Sequence, residues 1–172
     1  MACSRRPGGR RAHPPPPHTH TQPPQDFSAS GSLEPFFELF SVPQIVRKAA
    51  FLVRGMRFEA SEAEVRVTML CALSWFNRVE CFPLDGSPGL QKRRDMRRGW
   101  QRGSAATQAD GSILLTMFWP DPLPGTARDE LRVAGDALHV RMTAQIGQAG
   151  VAESHAVFRR RGPGRPPLDV AP

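Results

Sequence analysis

The sequence predicts a mostly β protein: an antiparallel meander barrel of about nine to ten strands with an N-terminal helix-turn-helix lid and disordered tails. Three observations support this. Apolar residues recur at helical spacing only near the start of the domain, short alternating runs follow, and Pro-rich segments flank both. We therefore divide the 172 residues into a Pro-, Arg- and His-rich tail over 1–32, a barrel domain over 33–162 and a Pro-rich tail over 163–172.

The predicted lid consists of two short helices. Ser32 can cap the first, and Ser41 can cap the second, which has Pro43 near its first turn. Gly55 suits the end of the second helix. Apolar residues of this helix recur at helical spacing at Ile45, Val46, Ala49, Ala50 and Val53. The short connection predicts a tight helix-turn-helix.

Strands are predicted throughout the rest of the domain. They span 56–59, 64–73, 76–82, 97–107 (one bent strand or two), 113–119, 126–133, 137–146 and 151–160. Asp110-Gly111 and Gly135-Asp136 are turn signals between successive strands. A meander with nothing else to cover it closes into a barrel or curls over a helical lid.

Charge and cysteine content indicate the compartment more than the partner. The net charge of +7 arises largely from arginines in the two tails, so it says little about the domain. Three cysteines without a CxxC pair favour a reducing compartment. We predict a cytoplasmic protein, with the nucleus or a plastid or other organelle as alternatives. The Arg-containing, acid-free start is compatible with a transit peptide, a disordered tail or a mis-predicted start.

Four segments resemble the intracellular fatty-acid- and retinoid-binding family, a group of calycin-like lipid-binding β-barrels. They are FFELFSVPQIVRKAA, LSWFNRVECFPLDG, DELRVAGDALHVRMT and HAVFRR. The first is similar to the portal helices of the family, and the others are similar to its strand pairs and last strand. The resemblance covers roughly residues 33–162 and implies intracellular lipid binding and transport.

The sequence departs from the family at three places. PPQDFSASGS replaces the first strand with its G-x-W signature, and Ala156-Val157-Phe158 replaces the carboxylate-binding Arg-x-Tyr. The nearest candidate for a second inward arginine is Arg128, which qualifies only if the register turns it inward. Because Ala and Phe cannot pair with a carboxylate, the expected ligand is a neutral or weakly polar lipid rather than a free fatty acid. Alternatively, a polar head stays outside among basic residues at the rim.

The predicted ligand-binding residues combine the lid, the inward faces of the strands and the arginine candidate. They are Phe36, Phe37, Phe40, Val65, Val67, Met69, Arg128, Leu138, Val140, Met142 and Phe158. The same side chains would equally form a packed core. No motif typical of an enzyme, metal site or cofactor site occurs, so we predict a non-catalytic, monomeric binding protein without a cofactor.

A second hypothesis concerns basic residues. In QKRRDMRRGWQR, five arginines and Lys92 surround Trp100, a combination typical of nucleic-acid or anionic-membrane contact. The same stretch is also typical of a solvated edge strand. The RRRGPGRPP tail resembles an AT-hook. The alternative function is therefore a basic interaction or nucleic-acid-binding protein that uses residues Lys92 to Arg102 and the tails, with the barrel as scaffold.

Overall fold

The computed structural model describes residues 18–21, 30–44, 47–48, 52–72, 74, 77–94, 97–120, 124–148 and 150–159. The elements in chain order are β1 (His18–Thr21), α1 (Glu34–Leu39), β2 (Val53–Ala60), β3 (Glu64–Cys71), β4 (Arg78–Pro83), β5 (Gly89–Lys92), β6 (Trp100–Thr107), β7 (Ile113–Trp119), β8 (Gly125–Ala134), β9 (Ala137–Ile146) and β10 (Gly150–Arg159).

The strands form two antiparallel sheets. One sheet has the order β1-β2-β3-β4, and the other has the order β10-β9-β8-β7-β6-β5. The mostly β class and the antiparallel meander are therefore confirmed. The prediction of one closed barrel needs correction, because β4 and β5 lie in different sheets, as do β1 and β10. A turn between β4 and β5, in which Gly86 has a φ of 79°, carries the chain from one sheet to the other.

A hydrogen bond joins the two sheets between β4 and β5, where the backbone N–H of Cys81 donates to the side-chain Oε1 of Gln91 at 2.9 Å. At the outer edge of β10, residues 30–32 run beside the strand: the N–H of Gly31 donates to the carbonyl of His155 at 2.8 Å. The N–H of Val157 donates to Ser30 Oγ at 3.0 Å. These last two bonds attach residues 30–32 to β10.

The helical lid is shorter than predicted. Helix α1 begins after Leu33, and Ser32 Oγ accepts a hydrogen bond from the N–H of Glu34 at 3.0 Å. Helical backbone recurs at Gln44, Arg47 and Lys48, whereas Ile45, Val46, Ala49 and Ala50 lie outside the described residues.

Val53 is not helical but begins β2, where it pairs with Cys71. Gly55 does not end a helix, because it lies in the same strand at a register shift. Pairing with β3 determines the conformation of both residues.

Two strands were not predicted. Strand β1 lies inside the range 1–32 and pairs with β2 from His18↔Ala60 to Thr21↔Arg57. Strand β5 lies between the predicted strands 76–82 and 97–107, where it overlaps the start of the basic stretch, and it pairs with β6. Both have four residues, too few for a clear alternation to be recognised in the sequence. The domain boundaries stay a prediction.

The core lies between the sheets. Phe82 and Leu115 are almost completely buried, and the ring of Phe58 contacts the ring of Phe158 with centroids 6.3 Å apart. From α1, Phe36 and Leu39 pack against this core. The fold therefore places one apolar interior beneath a short helix.

Candidate ligand site between the two sheets

Most of the predicted ligand-binding residues lie in or against one apolar cluster. Phe36, Phe40 and Met142 pack against it while half-buried, and the fully buried members are Val65, Val67, Leu138, Val140 and Phe158. Phe37 is half-buried, and the guanidinium of Arg47 lies 5.8 Å from its ring centroid. The structure therefore brings together the apolar residues of β3, β9, β10 and α1.

Arg128 does not belong to this group. Along β8, Ala127, Asp129 and Leu131 are buried, whereas Arg128 is exposed. Since adjacent strand residues face opposite sides, the register turns Arg128 outward and Asp129 inward. The register therefore does not turn Arg128 inward, as a ligand-binding arginine would require.

A small pocket lies beside this cluster. It is lined by Met56, Val67, Met69, Arg78 and Glu80 and has no room for a water-sized sphere. Three of the lining residues are apolar, and the other two carry opposite charges. Side chains must therefore move before a ligand can enter.

A charged trio lies next to the pocket. The guanidinium of Arg94 contacts both carboxylate oxygens of Glu80, with Arg94 Nη2 at 2.6 Å from Glu80 Oε2, and also binds Asp129. The two acidic side chains are only 5% and 7% exposed, whereas Arg94 is 25% exposed. One cation thus pairs with two nearly buried carboxylates, and the trio keeps a formal charge of −1.

Burial and charge within the trio shift the pKa values of Arg94 and Asp129. Burial alone would lower the pKa of Arg94, but the carboxylates of Asp129 and Glu80 outweigh burial and raise it. Burial raises the pKa of Asp129, Arg94 opposes this effect, and the negative charge of Glu80 adds to it. Arg94 therefore stays charged, and the carboxyl of Asp129 holds a proton more tightly than an exposed aspartate does.

Further polar groups lie inside the sheets. Gln101 is 1% exposed, and its Oε1 accepts a hydrogen bond from the N–H of Arg94 at 2.8 Å. The guanidinium of Arg93 lies 5.5 Å from the ring centroid of Trp119, whose other neighbour is the ring of Phe40 at 5.7 Å. The residue Arg93 is 1% exposed. The basic stretch is therefore not wholly a solvated surface, because Arg93 and Arg94 both turn inward.

Sequence reasoning missed Glu80, Arg94, Asp129, Gln101 and Trp119 as site residues. Parity would have identified Asp129, since it has the same spacing as the inward Ala127 and Leu131. Arg94 follows the end of β5, where no alternation exists to give its direction.

No protein-family model matches this sequence, and no curated protein matches it. Solved structures of similar fold include the following two proteins. An abundant heat soluble (SAHS) protein from Ramazzottius varieornatus is 11% identical, with a TM-score of 0.57 over 80% of this chain and 91% of that chain. A fatty acid-binding protein from brain tissue of Drosophila melanogaster is 12% identical, with a TM-score of 0.55 over 81% of this chain and 96% of that chain.

At these identities the similarity concerns the fold alone. No helix among the described residues is long and apolar enough to cross a membrane.

Proposed function

We propose that this protein binds a hydrophobic, uncharged small molecule between its two sheets without catalysing a reaction. The main support is the pocket lining: Met56, Val67 and Met69 supply apolar surface, while Arg78 and Glu80 contribute opposite charges that sum to zero. Burying an isolated carboxylate in such a site is costly. Arg94 already holds two carboxylates, so a neutral lipid fits this interior better than a fatty-acid anion.

The pocket must enlarge to admit any ligand, because it has no room for a water-sized sphere. Met56 and Met69 line it, and methionine side chains adapt to irregular shapes because they are unbranched and flexible. Entry would pass α1, where Phe36 and Phe40 rest on the core. At roughly 25 cal/mol per Å² of apolar surface, burial of a medium-length chain supports micromolar binding. Transport of the ligand by a monomer belongs to the same proposal.

Native mass spectrometry of the full chain with neutral lipids and fatty acids tests this function. We expect a one-to-one complex and a preference for neutral species. The variant Val67→Phe, which fills the pocket, should abolish the complex. Val79→Phe is the matched control, because Val79 lies on β4 but is 54% exposed. If the folded protein retains no lipid at all, or if both variants bind equally well, the proposal is wrong.

A second candidate function rests on the outer face of β5–β7. Leu90, Trp100 and Phe118 are exposed there, although each is large and apolar. The register sets Lys92 opposite Trp100, and Arg102 between Leu90 and Phe118. Cations beside exposed aromatic rings suit contact with single-stranded nucleic acid, whose bases stack and whose phosphates are negative.

The salt dependence of binding separates this candidate from the first. Binding of a single-stranded oligonucleotide should weaken steeply as salt rises and should fall with Trp100→Ala. Val133→Ala is the control, because Val133 is a large apolar residue on β8 that is 72% exposed. Binding that is insensitive to both salt and Trp100→Ala would exclude this function.

A further inference from the structure

Three inward side chains form a row across β5, β6 and β7. The register pairs Gln91 with Gln101, and it pairs Arg102 with Phe118, which sets Gln101 opposite Trp119. Gln101 is 1% exposed, Trp119 is 4% exposed and Gln91 is half-buried. We call Gln91, Gln101 and Trp119 the donor row.

Both amides of the donor row have a defined orientation. Gln91 Oε1 accepts from the backbone N–H of Cys81, and Gln101 Oε1 accepts from the backbone N–H of Arg94. Because a backbone N–H needs an oxygen as its partner, the nitrogen of each amide must point the other way. The carbonyl ends are thus engaged, and only the N–H ends face the interior.

The N–H ends have no acceptor. Gln91 Nε2, Gln101 Nε2 and Trp119 Nε1 are buried and have no hydrogen-bond partner within the described part of the chain. Buried donors without acceptors are rare and costly in native proteins. Since all three groups donate, the missing partner must be an acceptor.

The indole is held in place from several sides. The ring of Phe40 packs on Trp119, and the guanidinium of Arg93 lies near it. A Cβ at Gly125 would come within 2.9 Å of the Trp119 ring, so the ring lies directly over that backbone. Packing therefore holds the Trp119 indole in position, and the hydrogen bonds from Cys81 and Arg94 orient the two amides.

The chemistry of the row selects the kind of oxygen. A hydroxyl group would bring its own donor to a place where both amide carbonyls are already engaged. A carboxylate would need a cation of its own, whereas Arg94 is bound by Glu80 and Asp129, and Arg93, the buried cation near Trp119, is also engaged by other groups. A carbonyl oxygen of an ester or ketone accepts without donating and carries no charge.

The spacing also allows one oxygen to reach two donors. Neighbouring strands lie about 4.8 Å apart, and an N–H···O bond is about 2.9 Å long. An oxygen between two strands can therefore accept from a side chain on each.

We propose that Gln91, Gln101 and Trp119 bind the carbonyl oxygen of a neutral ester or ketone, whose hydrocarbon chain lies along the apolar interior. This inference rests on the proposed function, because the hydrocarbon chain would occupy the same apolar interior, although the donor row does not itself line the pocket of Met56, Val67, Met69, Arg78 and Glu80.

Three probes of equal heavy-atom number test it: methyl octanoate, its isomer nonanoic acid, and undecane. Undecane gains more from apolar burial than the ester does, so the affinity of each probe is compared between wild-type protein and variant. The acid should bind more weakly than the ester. Trp119→Phe removes the N–H but keeps a ring beside Phe40 and Arg93, so it should lower ester affinity about threefold to tenfold and leave undecane binding unchanged.

Trp100→Phe is the matched control, since Trp100 is exposed on the outer face of β6. Gln101→Glu is a second variant, which keeps an oxygen for the N–H of Arg94 but replaces the donor with an acceptor. It should weaken ester binding more than Trp119→Phe does. The infrared carbonyl stretch of isotope-labelled ester bound to wild-type protein should shift to lower frequency, a measurement that needs no variant.

The outcomes distinguish two failures. An ester affinity that Trp119→Phe leaves unchanged, or an unshifted carbonyl stretch in the bound ester, would overturn the donor-row inference and leave the proposed function standing. Loss of all three probes to the same extent in Trp119→Phe would also overturn it, because only packing would then be at work. If wild-type protein binds none of the probes, both the inference and the proposed function are wrong.

Discussion

Arg94 holds two nearly buried carboxylates at once, and the consequences of its removal can be predicted residue by residue. In Arg94→Met, Glu80 and Asp129 would be left without their shared cation, an arrangement that costs about 3–5 kcal/mol in other proteins. Asp129→Asn should cost less than about 1.5 kcal/mol, since Glu80 still pairs with Arg94. Urea unfolding measures both differences.

Arg132→Met is the control for loss of an arginine from the surface. Arg132 pairs with Asp110 and Glu130, but all three side chains are at least 40% exposed. Exposed pairs contribute about 0–1 kcal/mol. Equal losses for Arg94→Met and Arg132→Met would show that the trio contributes no more than a surface ion pair.

The raised pKa of Asp129 predicts a pH dependence of stability. The folded protein holds a proton on this carboxyl more tightly than the unfolded chain does, so the resulting stabilisation is greatest below the ordinary value of 3.8 and is lost as pH rises through the folded pKa. Wild-type protein should therefore lose stability relative to Asp129→Asn as pH rises from the ordinary value of 3.8 through the raised pKa of Asp129 in the folded protein. Urea unfolding across this range, with Asp136→Asn as an exposed control, would contradict the prediction if wild type gained stability instead.

At the scale of elements, the start of β8 depends on a close approach. A Cβ at Gly125 would lie 2.5 Å from the carbonyl oxygen of Gln145 on β9, as well as against the ring of Trp119. The backbone oxygen cannot move without breaking the β8–β9 ladder. Gly125→Ala should therefore cost about 1–3 kcal/mol through overpacking, and it should also displace the Trp119 indole.

Gly111 gives the contrasting case in the β6–β7 hairpin. It has a φ of 81°, and a Cβ there would meet nothing within 4 Å. Gly111→Ala should cost about 1–2 kcal/mol from backbone strain alone, with no change in the fluorescence of Trp119. Urea unfolding followed by tryptophan emission compares the two variants, and a matching emission change in both would contradict the distinct causes.

At the scale of the whole molecule, residues 30–32 attach to β10 at the edge of its sheet. Ser30→Ala removes the acceptor of the buried Val157 N–H, which should cost about 1–3 kcal/mol. Hydrogen exchange should then accelerate at Val157 before it does so in the middle of β9. Ser87→Ala, in the exposed turn with Asp85, is the control. Unchanged protection at Val157 would show that residues 30–32 do not secure this edge.

The strand pattern was predictable because its cause is local. Alternation along β3 and β9 placed Val65, Val67, Leu138 and Val140 inward, and all four are buried in one cluster. The Asp110-Gly111 turn was predictable from glycine, whose lack of a Cβ permits the positive φ of 81°. Leu73 and the apolar positions of the predicted second helix apart from Val53 lie outside the described residues and stay predictions.

The sequence by itself determined the β class, the meander and the apolar lining, since a two-residue period and turn residues act between neighbours in the chain. Tertiary structure alone decided that the strands form two sheets, that Arg128 faces outward, and that Arg94 turns in to meet Asp129, 35 residues away. It also aligned Gln91, Gln101 and Trp119 into one row. Such contacts depend on register between distant strands, and no local period along the chain encodes that register.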